Sequence, residues 1–334
     1  MAGQPNTTTT MKAIVQDTYG APPDVLVMRD VPRPQPGDGE LLVRIHAAGV
    51  DAGVWHLTAG MPYFVRLMGF GLRRPKVPVR GMDFAGRVEA VGTNVTGFAV
   101  GDEVYGTCDG SFAEYAVADP QRVAHAPANL TPEQAATVPV SGVTALKAVR
   151  DAGQVQPGQR VLVTGAGGGV GTYAVQLAKH FGARVTGVCS TAKTDLVRSI
   201  GADEVVDHTN ADFTSTGQRY DVVIDTAGRR RLSHLRRALA PEGTLVIVGG
   251  EGGGRLFGGF DRTLRAALLS RFVKQRLRAL ISTERTADLK TLAELIEAGA
   301  VTPAIDRTFP LSEAARAVQY LHDGRARGKL VVTV

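Results

Sequence analysis

The run GAGGGVG at residues 165–171 constrains this chain most. It follows the apolar, β-branched stretch RVLVT directly and opens VGTYAVQLAKHFG, in which Val170, Ala174, Leu177, Ala178 and Phe181 recur on one helical face. A glycine loop between a strand and a helix suits a dinucleotide pyrophosphate. Glycine permits positive φ in the tight turn, and the free N–H groups of the helix N-terminus meet the phosphate charge. Ala166, Gly167, Gly168, Gly169, Val170 and Gly171 are therefore candidate cofactor contacts, with Gly168 and Gly171 marked for close approach and helix packing. An ordinary glycine-rich turn is the alternative, and the surroundings argue against it. Strands and helices keep alternating through RVTGVCS, EVVDH, DVVIDTAG, LSHLRRALAPEG and GTLVIVGG, the pattern of an α/β, doubly wound parallel sheet over residues 128–285.

The next strand ends in VCSTAK. A site for NAD usually places a carboxylate there for the ribose 2′-hydroxyl, but Cys189 holds that position. Ser190 and Lys193 can donate to a 2′-phosphate that a carboxylate would repel, so NADPH is the expected cofactor. Lys193 also fits a solvated first helical turn, and Ser190 fits a helix cap. Asp225, Thr226, Gly249 and Gly250 end later strands, where a cofactor lies in such sheets and where turn formers also occur.

Residues 11–127 read differently, as short β-type runs between Gly and Pro, which indicates a compact β-rich unit. The basic, loop-like segment at 66–78 is a candidate wall of a substrate cleft. After residue 286 a helix and the strand GKLVVTV are expected to rejoin that first unit. At 334 residues two domains are the default. Residues 1–10 read as a disordered leader. The net charge of +6 is scattered and aromatics are 6%, which argues against a nucleic-acid partner. No apolar run spans a membrane, and a cytoplasmic setting is expected. Two cysteines cannot make a disulfide framework or a four-cysteine zinc site.

Several motifs in order, namely MKAIVQDTYG, HAAGVDAGVW, RGMDFAGRVEAVG, FAEYAVA, SGVTAL, VLVTGAGGGVG, FPLSEAARAV and GRARGKLVV, resemble the medium-chain dehydrogenase/reductase superfamily and within it the zinc-free quinone oxidoreductase branch. The resemblance covers nearly all of the chain after the leader. It implies a GroES-like catalytic domain (11–127 and 286–334), a Rossmann cofactor domain (128–285), a cleft between them and a homodimer. It also implies Thr144 near the nicotinamide, His208 near the adenosine phosphate, and Arg327 and Lys329 near the cofactor. Where zinc-dependent relatives carry their ligands, this chain has Asp51, Met82 with Asp83, and Val140. Met is a poor zinc ligand and Val is none, so no catalytic metal is expected.

Without a metal the acceptor must take hydride through its own conjugation, as a quinone or enone does, while the protein supplies position and electrostatics. A hydrogen-bond or proton donor is still needed at the developing oxyanion. Asp51, His56, Tyr63 and Thr144 are the candidates, although Asp51 also fits a ribose contact or a turn cap, His56 a structural role and Tyr63 packing. The expected function is NADPH-dependent hydride transfer to a quinone or related conjugated carbonyl. An alkenal or enone double-bond reductase and a non-catalytic NADPH-binding redox sensor are the alternatives.

Overall fold

The structure is a computed structural model that describes residues 9–215, 217–250 and 254–334. Most of the expected leader lies outside the described residues. Its last residue does not belong to a leader, because Thr10 pairs with Pro32 and opens the first strand.

The first unit begins with the antiparallel pair β1 (Thr10–Val15) and β2 (Val27–Pro32). A larger sheet contains β3 (Leu41–Val50), β4 (Asp83–Val91), β5 (Glu103–Thr107) and β7 (Val123–His125), with β6 (Tyr115–Ala118) paired to β3. Alternating apolar residues turn Leu41, Val43 and Ile45 toward a core that includes Phe84, Val88 and Val104. Tyr105 and Phe112 are fully buried.

The second unit is a six-stranded parallel sheet of β8 (Arg160–Thr164), β9 (Arg184–Cys189), β10 (Glu204–Asp207), β11 (Tyr220–Asp225), β12 (Leu239–Ile247) and β13 (Arg276–Ala279). Its spatial order is β10-β9-β8-β11-β12-β13, the doubly wound arrangement, so the order reverses between β8 and β11. The stretch LSHLRRALAPEG is helical only through Ala238, after which the chain enters β12. The edge strand β13 was not apparent in RLRA, whose alternating arginines mask a four-residue strand.

β14 (Ile305–Pro310) and β15 (Lys329–Thr333) then leave this sheet, and β15 runs antiparallel to β3. The chain therefore finishes inside the larger sheet of the first unit.

Three helices position the cleft: α1 (Ala52–Ala59), α2 (Pro139–Leu146) and α3 (Gly169–His180). α2 is buried almost throughout and wedges between the units. One apolar cluster runs from Ala47, Ala85 and Tyr105 of the first sheet through Val143 and Leu146 to Val163, Ala174 and Leu177 of the second. This shared core fixes the two sheets against each other. The polar residues of α2 that face the opening become part of its floor.

The segment at 66–78 contains a distorted helical turn, Arg66–Phe70, closed by Gly69 and Gly71 with positive φ. It does not line the cleft, contrary to expectation. Its Tyr63–Phe64 approach is tied instead to the backbone of Arg255 and Leu256.

Candidate active site

The cleft, of about 440 Å³, opens over the C-terminal ends of β8 to β11. Gly165 follows β8 with a φ of +68°, which turns the backbone sharply so that Gly168 can cap α3. A Cβ on Gly171 would lie 2.1 Å from the Gly165 carbonyl oxygen, so only glycine lets the helix close on the loop. Gly167, Gly168, Gly169 and Val170 line the opening. Ala166 and Gly171 lie behind it as packing residues.

The rim beyond β9 and β10 is neutral and cationic. Cys189, Ser190, Lys193 and His208 all line it, and so does Arg229, which the sequence did not single out. The Ser190 side chain makes no cap hydrogen bond, so its hydroxyl is not engaged in capping. Lys193 is half-buried and donates to the Gly324 carbonyl at 3.4 Å rather than standing in solvent as a free turn residue. Burial pulls its ammonium below the usual lysine range. Burial also pushes the Cys189 thiol up to about 11, which leaves it protonated and unreactive at neutral pH. Asp207, at the end of β10, commits its carboxylate to Thr191 at 2.5 Å and Asn210 at 2.8 Å.

Of the later strand ends, Thr226 lines the cleft. Asp225 does not. It is fully buried, accepts from Thr164 Oγ1 at 2.5 Å and pairs with Arg262 at 2.6 Å. Arg262 also donates to the carbonyls of Gly249 and Arg230, so this ion pair ties the ends of β11 and β12 together beneath the site. Gly249 lies against Thr226, where a Cβ would meet its carbonyl oxygen at 2.2 Å. Gly250, packed against Gly259, and the exposed Arg327 are outside the lining.

The opposite wall belongs to the first unit. Asp51, at the N-terminus of α1, reaches the lining. Its Oδ1 accepts from Ser141 Oγ at 2.6 Å and from Lys329 Nζ at 2.6 Å, and Lys329 also donates to Ser141 Oγ at 3.1 Å. Asp83 completes the cluster. Its Oδ1 accepts from the Val140 N–H at 3.0 Å, and its Oδ2 lies 3.6 Å from Lys329 Nζ.

Two acids around one buried cation cannot both ionise cheaply. Burial, with the charge of Asp51, pushes the Asp83 carboxyl well above its usual range. Burial acts on Asp51 too, but the Lys329 ammonium and the Ser141 hydrogen bond outweigh it and hold that carboxyl below its usual value. A protonated Asp83 can donate to Asp51, which satisfies the carboxyl oxygens that otherwise lack partners. The cluster is then close to neutral.

Trp55 and His322 stack at 3.8 Å with nearly parallel rings and, with Leu321 and Val50, form an apolar side of the cleft. The other catalytic candidates are not in the lining. His56 turns its Nδ1 to the Met61 carbonyl at 2.8 Å, and Tyr63 is exposed under the Arg66 guanidinium. Thr144 is buried one helical turn beyond Ser141. The resemblance implied Thr144 within SGVTAL, yet it is Ser141 of the same motif that lines the cleft.

Family models match residues 37–128 as an alcohol dehydrogenase GroES-like domain and residues 200–332 as a zinc-binding dehydrogenase. A chloroplastic quinone-oxidoreductase from Triphysaria versicolor is 32% identical over 340 residues, covering 96% of this chain and 98% of the relative. The chain belongs to the medium-chain dehydrogenase/reductase superfamily, in its quinone-oxidoreductase-like branch. It thereby joins a GroES-like domain to a Rossmann-like one.

Among solved superfamily structures, a quinone oxidoreductase from Coxiella burnetii matches with a TM-score of 0.85 and 29% identity, covering 98% of this chain and all of that one. A mycobacterial structure complexed with NADPH matches with a TM-score of 0.82 and 30% identity over 97% of this chain and all of that one. The chain is thus an oxidoreductase of this superfamily. No helix among the described residues is long and apolar enough to cross a membrane.

Proposed function

We propose that this protein is an NADPH-dependent reductase that passes hydride to a quinone or a related conjugated carbonyl without zinc. The observation that carries the cofactor choice is the rim of Ser190, Lys193, His208 and Arg229, where an NAD site usually presents a carboxylate. A 2′-phosphate would meet two cations and a hydroxyl there. The glycine loop of Gly167, Gly168 and Gly169, which lines the opening at the N-terminus of α3, is the matching cradle for the pyrophosphate. When bound, the reduced nicotinamide supplies the hydride.

The residues at the metal position do not fit zinc. Asp51 and Asp83 direct their carboxylates at the Lys329 ammonium, and the remaining positions are a thioether and a valine. No group of three or more His, Cys, Asp or Glu able to hold a metal ion is gathered among the described residues. The protein's own part is to hold and orient. α2 fixes the cleft floor, and the flat Trp55–His322 pair with Leu321 offers a planar acceptor an apolar wall.

Acceptor turnover with NADPH and NADH in parallel, before and after chelation, tests this reading. Steady, chelator-resistant NADPH oxidation with quinones is expected, and the same screen with enones reads out the double-bond reductase alternative. Cofactor binding with no turnover on any acceptor would favour a redox sensor instead. The homodimer and the domain limits at 127/128 and 285/286 stand as further parts of the proposal, tested by light scattering and limited proteolysis.

A further inference from the structure

We propose that the Lys329 ammonium takes the place of the catalytic metal of zinc-dependent relatives and, through the Ser141 hydroxyl, supplies the proton that the reduced acceptor needs. The inference rests on the function proposed above and names the proton donor which that reading leaves open.

Lys329 Nζ is held by Asp51 at 2.6 Å and faces Oδ2 of Asp83 at 3.6 Å, while Oδ1 of Asp83 accepts from the Val140 N–H. By the resemblance of their motifs, Asp51, Asp83 with its neighbour Met82, and Val140 correspond to the positions where zinc-dependent relatives keep their ligands. A positive charge therefore sits at the spot a Lewis acid would occupy, with two carboxyl groups around it as a cation requires. Lys329 and Ser141 are each 1% exposed, but Lys329 is not among the residues that line the cleft, so it does not reach an acceptor itself. Ser141 does line the cleft, and its Oγ accepts from Lys329 at 3.1 Å. The lysine is thus a positioning residue and the serine hydroxyl is the group that touches substrate.

The step balances as a two-proton relay. An acceptor that has gained hydride carries the extra electron pair as an oxyanion. Its new O–H bond forms as the Ser141 O–H breaks, and Ser141 regains a proton as one Lys329 N–H breaks. Asp51 keeps its negative charge, Lys329 becomes a neutral amine, and water entering as product leaves returns the proton to it. Rotation of the Ser141 hydroxyl from Asp51 toward the cleft starts the relay, and Lys329 holds the oxygen in place meanwhile.

The decisive variant is Ser141→Ala, which alters no charge. A second, Asp51→Asn combined with Lys329→Met, removes the ion pair as a unit, and Lys329→Arg keeps the charge with a different reach. Turnover, its pH profile, the solvent deuterium effect on kcat and the NADPH dissociation constant by fluorescence are measured for each. The profile is read against the ionisable groups that face the lysine or its carboxylates among the described residues, namely Asp51, Asp83, Cys108, Tyr173 and Glu284.

Loss of kcat by about 100- to 1,000-fold in Ser141→Ala and in the double variant is expected. NADPH affinity should stay within about threefold, and the solvent deuterium effect should change. An unchanged kcat and isotope effect in Ser141→Ala would overturn the relay, as would a loss of NADPH affinity that accounts for the whole kinetic defect. Stoichiometric zinc in the purified protein would overturn the ammonium's substitution for the metal. If the wild-type protein binds NADPH but reduces no acceptor, the proposed function itself fails and the relay with it. That result is distinct from an active wild type whose variants are equally active.

Discussion

Lys329 Nζ lies 2.6 Å from Asp51 Oδ1, an ion pair between residues 278 positions apart whose side chains are both buried. It joins the final strand to the N-terminus of α1 across the cleft floor. A buried pair adds little to stability over a well-packed apolar substitute, yet breaking it from one side strands a charge in a poorly solvated site.

Lys329→Met alone should therefore lose about 3–5 kcal/mol, and Asp51→Asn added to it should recover much of that loss. Denaturant unfolding at pH 7 checks both. Asp51 has its carboxyl held below the ordinary value, so its share of stability is present above about pH 4 and lost as pH falls through the lower folded value. Acid unfolding of the wild type should show that loss, and Asp51→Asn should flatten it.

Asp83 carries the opposite sign. Its folded carboxyl is raised, so the unfolded chain releases its proton first, and Asp83 costs stability as pH climbs from about 4 toward the folded value. Asp83→Asn copies the protonated acid and keeps an acceptor for the Val140 N–H. The variant should match or exceed the wild-type melting temperature at pH 7 and converge with it near pH 4. A large loss at pH 7 would mean that the ionised carboxylate is the native form.

Gly171→Ala should destabilise the protein by about 1–3 kcal/mol and weaken cofactor binding, because the added methyl meets the Gly165 carbonyl at 2.1 Å. Thermal melts with and without NADPH separate the two effects. The ligand-induced shift should shrink more than the unliganded melt alone accounts for.

Lys193→Ala and Arg229→Ala should each cost about 1–3 kcal/mol of NADPH binding, or roughly 10- to 100-fold in affinity. NADH affinity should hardly move. An equal loss for both nucleotides would place these cations on the shared pyrophosphate instead of the 2′-phosphate.

The glycine loop was legible because its chemistry is local. A strand, a turn needing positive φ at Gly165, and a helix start are all encoded within about 20 residues, and the structure places them as read. Ser190 and Lys193 stood out because they follow the end of a parallel strand, whereas His208 was marked only by the resemblance, and all three line the cleft. Arg229 also follows one, after β11, but its neighbours in the RRR run hid which side chain turns inward. Asp225 misled because the end of a parallel strand also suits a buried structural acid. Its partner Arg262 lies 37 positions on and belongs to a helix the sequence reading did not identify.

The chain by itself determined two alternating patterns, a β-rich half and a βα half, and with them the sheet type and the pyrophosphate loop. Period-2 and period-3.6 burial and glycine dihedrals are properties of short segments, so they need no knowledge of distant residues. Tertiary structure alone decided that Lys329 enters the floor between Asp51, Asp83 and Ser141. That placement depends on β15 pairing with β3 and on α2 wedging between two sheets. Each side chain has an unremarkable neighbourhood in sequence, and its charge acquires meaning only when folding removes water from all four at once.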